Sequence, residues 1–194
     1  MNVFDFDKTI YHVDSTFGFF RYAMRKKPAL LRYLPKVAAG AALYFMKIGD
    51  RDRAKGLFMS YFEGLDDLSL IEQYWDEHID GIYPWYLAVQ QEDDLVISAS
   101  AEQIVGPACR RLGIKNLIAT QMDSSTGRLL RSNCKGQQKV AEFRQVYGDA
   151  QIDRFYSDSL SDTPLALLAK ESYLIVKGKP VPWPEMKTEN EKVP

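Results

Sequence analysis

The chain has 194 residues, enough for one domain, or for one core domain with an insertion, and enough to bury a sizeable core. Its 25 Lys and Arg nearly balance 26 Asp and Glu, so the net charge of −1 offers nucleic acid no bulk attraction. Two cysteines, Cys109 and Cys134, give neither a disulfide framework nor a metal-ligand spacing and read as buried thiols.

Asn2 to Asp7 predicts the first strand, and Asp5-Phe6-Asp7-Lys8-Thr9 puts two aspartates at its end. Residues i and i+2 of a strand share a face, so both carboxylates leave together. Two like charges so placed call for a cation or a proton. An aspartate can serve as a covalent nucleophile toward phosphorus, and a second carboxylate can serve as acid and base. Taken alone, the pattern also reads as a strand end with solvated carboxylates and an N-cap threonine.

A loop from Lys8 to Val13 leads to the capping residues Asp14-Ser15-Thr16. From there to about Gln90 the apolar spacing is helical: Thr16–Lys27, Pro28–Ile48 with a kink at Pro35, Arg51–Phe62, a fourth helix ending near Ile79, and Tyr83–Gln91. Such a block is too long for an ordinary crossover and reads as an insertion over residues 15–85. Within it, the clean apolar run Val37–Met46 is about half the ~20 residues a membrane span requires, so it predicts a buried or interfacial helix.

Beyond the block, strands and helices alternate. Strand Asp94–Ala99 is followed by helix Ala101–Leu112, strand Asn116–Gln121, a hairpin-type turn at Ser124-Ser125-Thr126-Gly127, and helix Gln137–Tyr147. Strand Gln151–Ser157, helix Pro164–Lys170, strand Tyr173–Lys177 and an exposed tail from Gly178 complete the chain. This is an α/β pattern with a mostly parallel sheet. Ligands of such sheets sit beyond the carboxyl ends of the strands, where Asp5, Asp7, Ser98 and Asp158 all fall.

Four pieces stand in order: the Asp5/Asp7 strand; Val96-Ile97-Ser98-Ala99-Ser100; Cys134-Lys135-Gly136-Gln137-Gln138-Lys139-Val140; and Phe155-Tyr156-Ser157-Asp158-Ser159-Leu160-Ser161-Asp162. Together they resemble the haloacid dehalogenase superfamily in its phosphoserine phosphatase-like branch, subfamily IB, from Val3 to about Val176. The resemblance implies a Rossmann-like parallel-sheet core over residues 1–14 and 86–180, an inserted all-helical C1 cap over 15–85, and an exposed tail over 181–194. It implies hydrolysis of a phosphomonoester through an aspartyl phosphate on Asp5, with Asp7 as general acid and base. Mg²⁺ would be held by Asp5, Asp158 and the backbone carbonyl of Asp7. Ser98, with the neighbouring backbone at Ala99 and Ser100, would bind a phosphoryl oxygen, and Thr9 would support the site. Lys139 or Lys135 would supply positive charge; the Cys-x-Gly-x-x-Lys pattern puts Lys139 first, while Lys135 stands directly before Gly136. Asp162 would support the site, or alternatively cap the helix from Pro164. Asp7 favours hydrolysis, and transfer to a hydroxyl stays open. A non-catalytic module is disfavoured because every charged position is filled.

Arg21, Arg25, Lys26, Lys27, Arg32, Lys36, Arg51, Arg53 and Lys55 make the insertion basic, which reads as a solvated face or as attraction toward an anionic substrate or membrane surface. Tyr156-Ser157-Asp158-Ser159, Asp162, Pro164-Leu165 and the cysteine-lysine motif are similar to the phosphatidylglycerophosphatase C group. That resemblance implies a lipid phosphomonoester and peripheral membrane contact through the cap. Phosphoserine is the rival small substrate, for which Glu63 with Arg21 or Arg53 is the candidate recognition pair. The first strand begins at residue 2, so the expectation is a cytoplasmic protein without a signal peptide, with the inner membrane face as its peripheral alternative. Oligomeric state is not legible.

Overall fold

The computed structural model describes residues 1–184. Six strands form one sheet in the order β3-β2-β1-β4-β5-β6: β1 Asn2–Phe4, β2 Leu95–Ala101, β3 Asn116–Thr120, β4 Ile152–Ser157, β5 Ala169–Val176 and β6 Lys179–Pro182. All neighbours are parallel except the β5–β6 pair. β1 lies at the centre, with Val3 opposite Leu95 on one side and Phe155 on the other.

Strand alternation divides the core in two. Val3, Leu95, Ile97 and Phe155 face the helix α7 (Gln137–Tyr147) through Val140 and Phe143. Phe4, Val96 and Tyr156 face the other way, toward α6 (Glu102–Arg111) and the helical block. That block contributes Phe19 from α1 (Ser15–Lys26) and Tyr74 and Trp75 from α4 (Ser69–His78) to the same cluster. The Trp75 indole N–H donates to the Ile104 carbonyl at 2.6 Å, fixing α4 against α6. The remaining block helices are α2 (Leu34–Met46), α3 (Arg51–Phe58) and α5 (Pro84–Val89). α2 buries only Val37 and Gly40 and rests on α3. At Gly40 an added Cβ would stand 2.3 Å from the Phe58 backbone nitrogen, so this contact requires glycine. No helix among the described residues is long and apolar enough to cross a membrane.

Several elements differ from the expectation. β1 stops at Phe4 rather than Asp7: the N–H groups of Thr9, Ile10 and Tyr11 converge on the Phe6 carbonyl at 3.3, 3.0 and 3.1 Å, curling the chain out of the sheet. Asp7 is therefore a loop residue, not a strand partner of Asp5. The long helices predicted at Pro28–Ile48 and Arg51–Phe62 are each split by a 3-10 segment, at Pro28–Tyr33 and Met59–Gly64. The turn at Ser124–Gly127 closes only a single bridge, Met122 with Leu129. The helix predicted at Pro164–Lys170 shrinks to α8, Thr163–Ala166, because Ala169 already pairs with Ile152. Of the predicted tail, Lys179–Pro182 forms β6, while residues 185–194 lie outside the described part.

Candidate active site

A cavity of about 820 Å³ opens at the carboxyl ends of β1, β2 and β4. Its core side carries Asp5, Asp7, Ala99, Ser100, Lys135, Lys139, Asp158 and Asp162; its other side is the helical block, with Phe17, Arg21, Tyr44, Phe45, Lys55 and Phe58. Four stretches distant in sequence thus meet in one place.

Asp5 follows directly on β1, pinned by its N–H to the Tyr156 carbonyl at 2.8 Å. Lys139, in the first turn of α7, is buried and donates to Asp5 Oδ1 at 2.5 Å and to Asp162 Oδ2 at 2.7 Å. Asp162 also accepts from the Ser157 hydroxyl at 2.9 Å and from the Gly136 N–H at 3.2 Å. It occupies the N-cap position of α8 but makes no side-chain capping bond, which sets aside the capping alternative. Burial pushes Asp5 up to about 6 despite Lys139. Burial works against the Lys139 ammonium as well, but Asp5 and Asp162 outweigh it and hold the charge above the ordinary lysine range.

Thr9 lies fully buried beneath the cavity. It donates to Asp5 Oδ2 at 3.4 Å and accepts from the Asp158 N–H at 2.9 Å. Asp158 lines the cavity, and burial raises its carboxyl, with Lys8 and Lys139 pulling the other way. Lys135 also lines the cavity, but it is exposed and forms no ion pair among the described residues.

Asp7 accepts from the Ser15 N–H at 2.7 Å and from the Ser100 hydroxyl. Burial, reinforced by Asp14, pushes it up to about 7 against those hydrogen bonds. Ser98 is not brought into the cavity lining: it is buried, and its hydroxyl accepts from the Ser100 N–H at 3.0 Å. Here Ser98 shapes the strand end, and Ser100 presents its hydroxyl to Asp7. Glu63 is not in the lining either; it pairs with Lys36 at 3.0 Å, and among the described residues it forms no ion pair with Arg21 or Arg53. Cys109 and Cys134 are buried thiols, each pushed up to about 12 by burial.

Lys55 was legible in the sequence only as one basic residue among many. It sits on α3, and its ammonium crosses to the core, donating to the Ala99 carbonyl and to Asn133 Oδ1 at 2.6 Å. Nothing local marks it; only the docking of α3 over β2 brings it to the site.

The donors at the Asp5 corner are all oxygens, which suits a hard divalent cation such as Mg²⁺. Asp162 and Asp158 raise the Asp5 carboxyl, Asp162 raises that of Asp158, and Lys139 alone contacts two of the three, leaving negative charge for a cation to neutralise. No group of three or more His, Cys, Asp or Glu side chains has a metal-holding arrangement among the described residues. The Asp7 carboxylate is engaged by Ser15 and Ser100, which leaves its backbone carbonyl as the donor that can join Asp5 and Asp158.

The haloacid dehalogenase-like hydrolase family matches residues 3–167, and the chain belongs to that family. In class it is a hydrolase. It is 29% identical to protein CicA of Caulobacter vibrioides over 201 residues, covering 91% of this chain and 86% of that one. A histidinol-phosphatase of Neisseria meningitidis is 32% identical over 95 residues, 41% of each chain. The fold resembles that of a phosphoserine phosphohydrolase-like protein from Francisella tularensis, with a TM-score of 0.64 at 16% identity, covering 92% of this chain and 88% of that one.

Proposed function

We propose that this chain is a divalent-metal-dependent phosphomonoesterase that works through an aspartyl phosphate on Asp5. The observation that carries the reading is the buried Asp5–Lys139–Asp162 arrangement beside a protonatable Asp7, at the floor of one cavity. Lys139 keeps Asp5 ionised and orients one oxygen, leaving the carboxylate competent to attack. Asp5 forms a bond to phosphorus as the ester P–O bond breaks, and the departing oxygen takes the proton of Asp7. Asp7, now a carboxylate, removes a proton from water; the water oxygen bonds to phosphorus and the Asp5 carboxylate is released with inorganic phosphate. A Mg²⁺ ion held by Asp5, Asp158 and the Asp7 backbone carbonyl would offset the charge of the phosphoryl group. Ser100 holds Asp7 in place, and Thr9 holds Asp5 and Asp158 together.

The substrate we favour is a small phosphomonoester, consistent with the Neisseria relative's name. A lipid phosphomonoester is the second reading, favoured by one feature: Phe17, Ala41, Tyr44, Phe45 and Phe58 give the block side of the cavity an apolar lining. The test is Mg²⁺-dependent phosphate release from histidinol phosphate, phosphoserine, sugar phosphates and phosphatidylglycerol phosphate in detergent micelles. Release that Asp5→Asn abolishes supports the mechanism, and the preferred substrate decides between the readings. Folded wild-type protein that releases phosphate from none of them overturns the proposal; an added alcohol that diverts phosphate to itself identifies a transferase.

A further inference from the structure

Among the described residues, three block lysines form ion pairs, each with an exposed or half-buried carboxylate: Lys26 with Glu77, Lys27 with Asp66 and Lys36 with Glu63. Lys55 does not. Its two partners are neutral oxygens, Ala99 O and Asn133 Oδ1, and it forms no ion pair among the described residues. Asn133 is itself fixed, its Oδ1 accepting from the Thr120 hydroxyl at 2.9 Å and its N–H donating to Asp52 Oδ2 at 3.3 Å. Removing an ammonium from water without a counter-charge is expensive, and burial pushes Lys55 down to about 8 although Asp7 and Asp14 pull upward. An ammonium carries three donors, and two are used. The residue lines the cavity together with Asp7 and Ser100.

The other cations there are differently placed. Lys139 is neutralised by two carboxylates, and Lys8, Lys135 and Arg21 are exposed to water. Lys55 is thus a sheltered cation, rigidly anchored, with no carboxylate against it, beside the group that handles the leaving oxygen.

We propose that Lys55 is a substrate-anion ligand supplied by the helical block: its ammonium, anchored on Ala99 and Asn133, donates to an oxygen of the phosphoryl group next to Asp7. This rests on the phosphomonoesterase reading above. It makes phosphate binding a joint act of the two sides of the cavity, because the anion joins α3 to the end of β2. The anion also supplies the counter-charge that this half-buried lysine lacks.

The experiment compares wild type, Lys55→Met and Lys55→Gln, each with MgCl₂ present. Calorimetry gives the affinity for inorganic phosphate, steady-state kinetics gives KM and kcat on the ester that wild type hydrolyses best, and a melt without phosphate gives stability. Losing one charge-assisted hydrogen bond weakens phosphate binding by about tenfold or more and raises KM similarly. Lys55→Gln keeps donors without charge and shows the same loss; it serves alone if the methionine variant does not fold. A folded variant that binds phosphate as wild type does, even with a lowered melting temperature, overturns the proposal and leaves Lys55 a structural tie. Wild type that neither binds phosphate nor hydrolyses any ester overturns the phosphomonoesterase reading and this inference with it.

Discussion

The Asp158 N–H donates to the Thr9 hydroxyl at 2.9 Å, across 149 positions of sequence. That hydroxyl also donates to Asp5, so one buried threonine joins the loop after β1 to the loop after β4. Thr9→Val keeps the shape but strands the Asp158 N–H. The expected loss is about 1–3 kcal/mol of stability, seen as a lower urea midpoint with an unchanged slope. A midpoint equal to wild type would show that water replaces the hydroxyl without penalty.

Lys139→Met leaves Asp5 and Asp162 buried without their cation. A broken buried pair typically costs about 3–5 kcal/mol, and loss of a charged group at the reacting centre lowers kcat by roughly 10²-fold or more. Asp5 already sits at about 6, and without Lys139 it rises further. The variant's deficit is therefore smallest in acid, where Asp5 is protonated, and grows as pH rises through neutrality. Denaturation at pH 5 and pH 8 checks this; a deficit independent of pH contradicts it.

Asp7 is raised from 3.8 to about 7 by burial. Between those values the folded state retains a proton that the unfolded state has lost, so its contribution to stability is complete below about pH 4 and disappears as pH rises through 7. Asp7→Asn has no such proton. Its stability relative to wild type is expected to increase from pH 4 to pH 8, by up to roughly 2–4 kcal/mol, while hydrolysis is lost. Paired urea titrations at the two pH values decide it; a difference that shrinks with pH refutes the assignment.

Ser100 donates to Asp7 and so favours its charged form. Ser100→Ala removes that support and moves the Asp7 titration upward. The limb of the pH–kcat profile that reports Asp7 shifts to higher pH, by about half a unit or more. A shift in the opposite direction would place another group on that limb.

The positions that could be read in the sequence are those whose chemistry is encoded within a few residues. Asp5 and Asp7 stand two apart after an apolar run, and Lys139 lies in a helix whose bounds, Gln137–Tyr147, match the expectation. Lys55 was hidden because its contacts are created by α3 settling on residues 99 and 133, which no local pattern reports. β6 was hidden by Pro180 and Pro182, residues that speak against a strand. They are tolerated at a sheet edge, where the missing N–H groups are not needed by a further neighbour. The strand parity assigned to Asp7 failed because backbone donors gathered on the Phe6 carbonyl and ended the strand early.

The central position of β1 has a consequence for how the molecule comes into being. Asn2 finds one of its neighbours only at Arg154, so the second edge of this strand stays open until most of the chain has been synthesised. Pairings this distant in sequence are slow to form, and an unpaired apolar edge is a template for association with other chains. Lys139 and Asp162, which complete the surroundings of Asp5, also lie in the last third of the sequence. A ribosome-bound intermediate or a truncated product therefore exposes the Asp5 strand without its charge partners, and the Asp5–Lys139–Asp162 arrangement arises only when the sheet has closed.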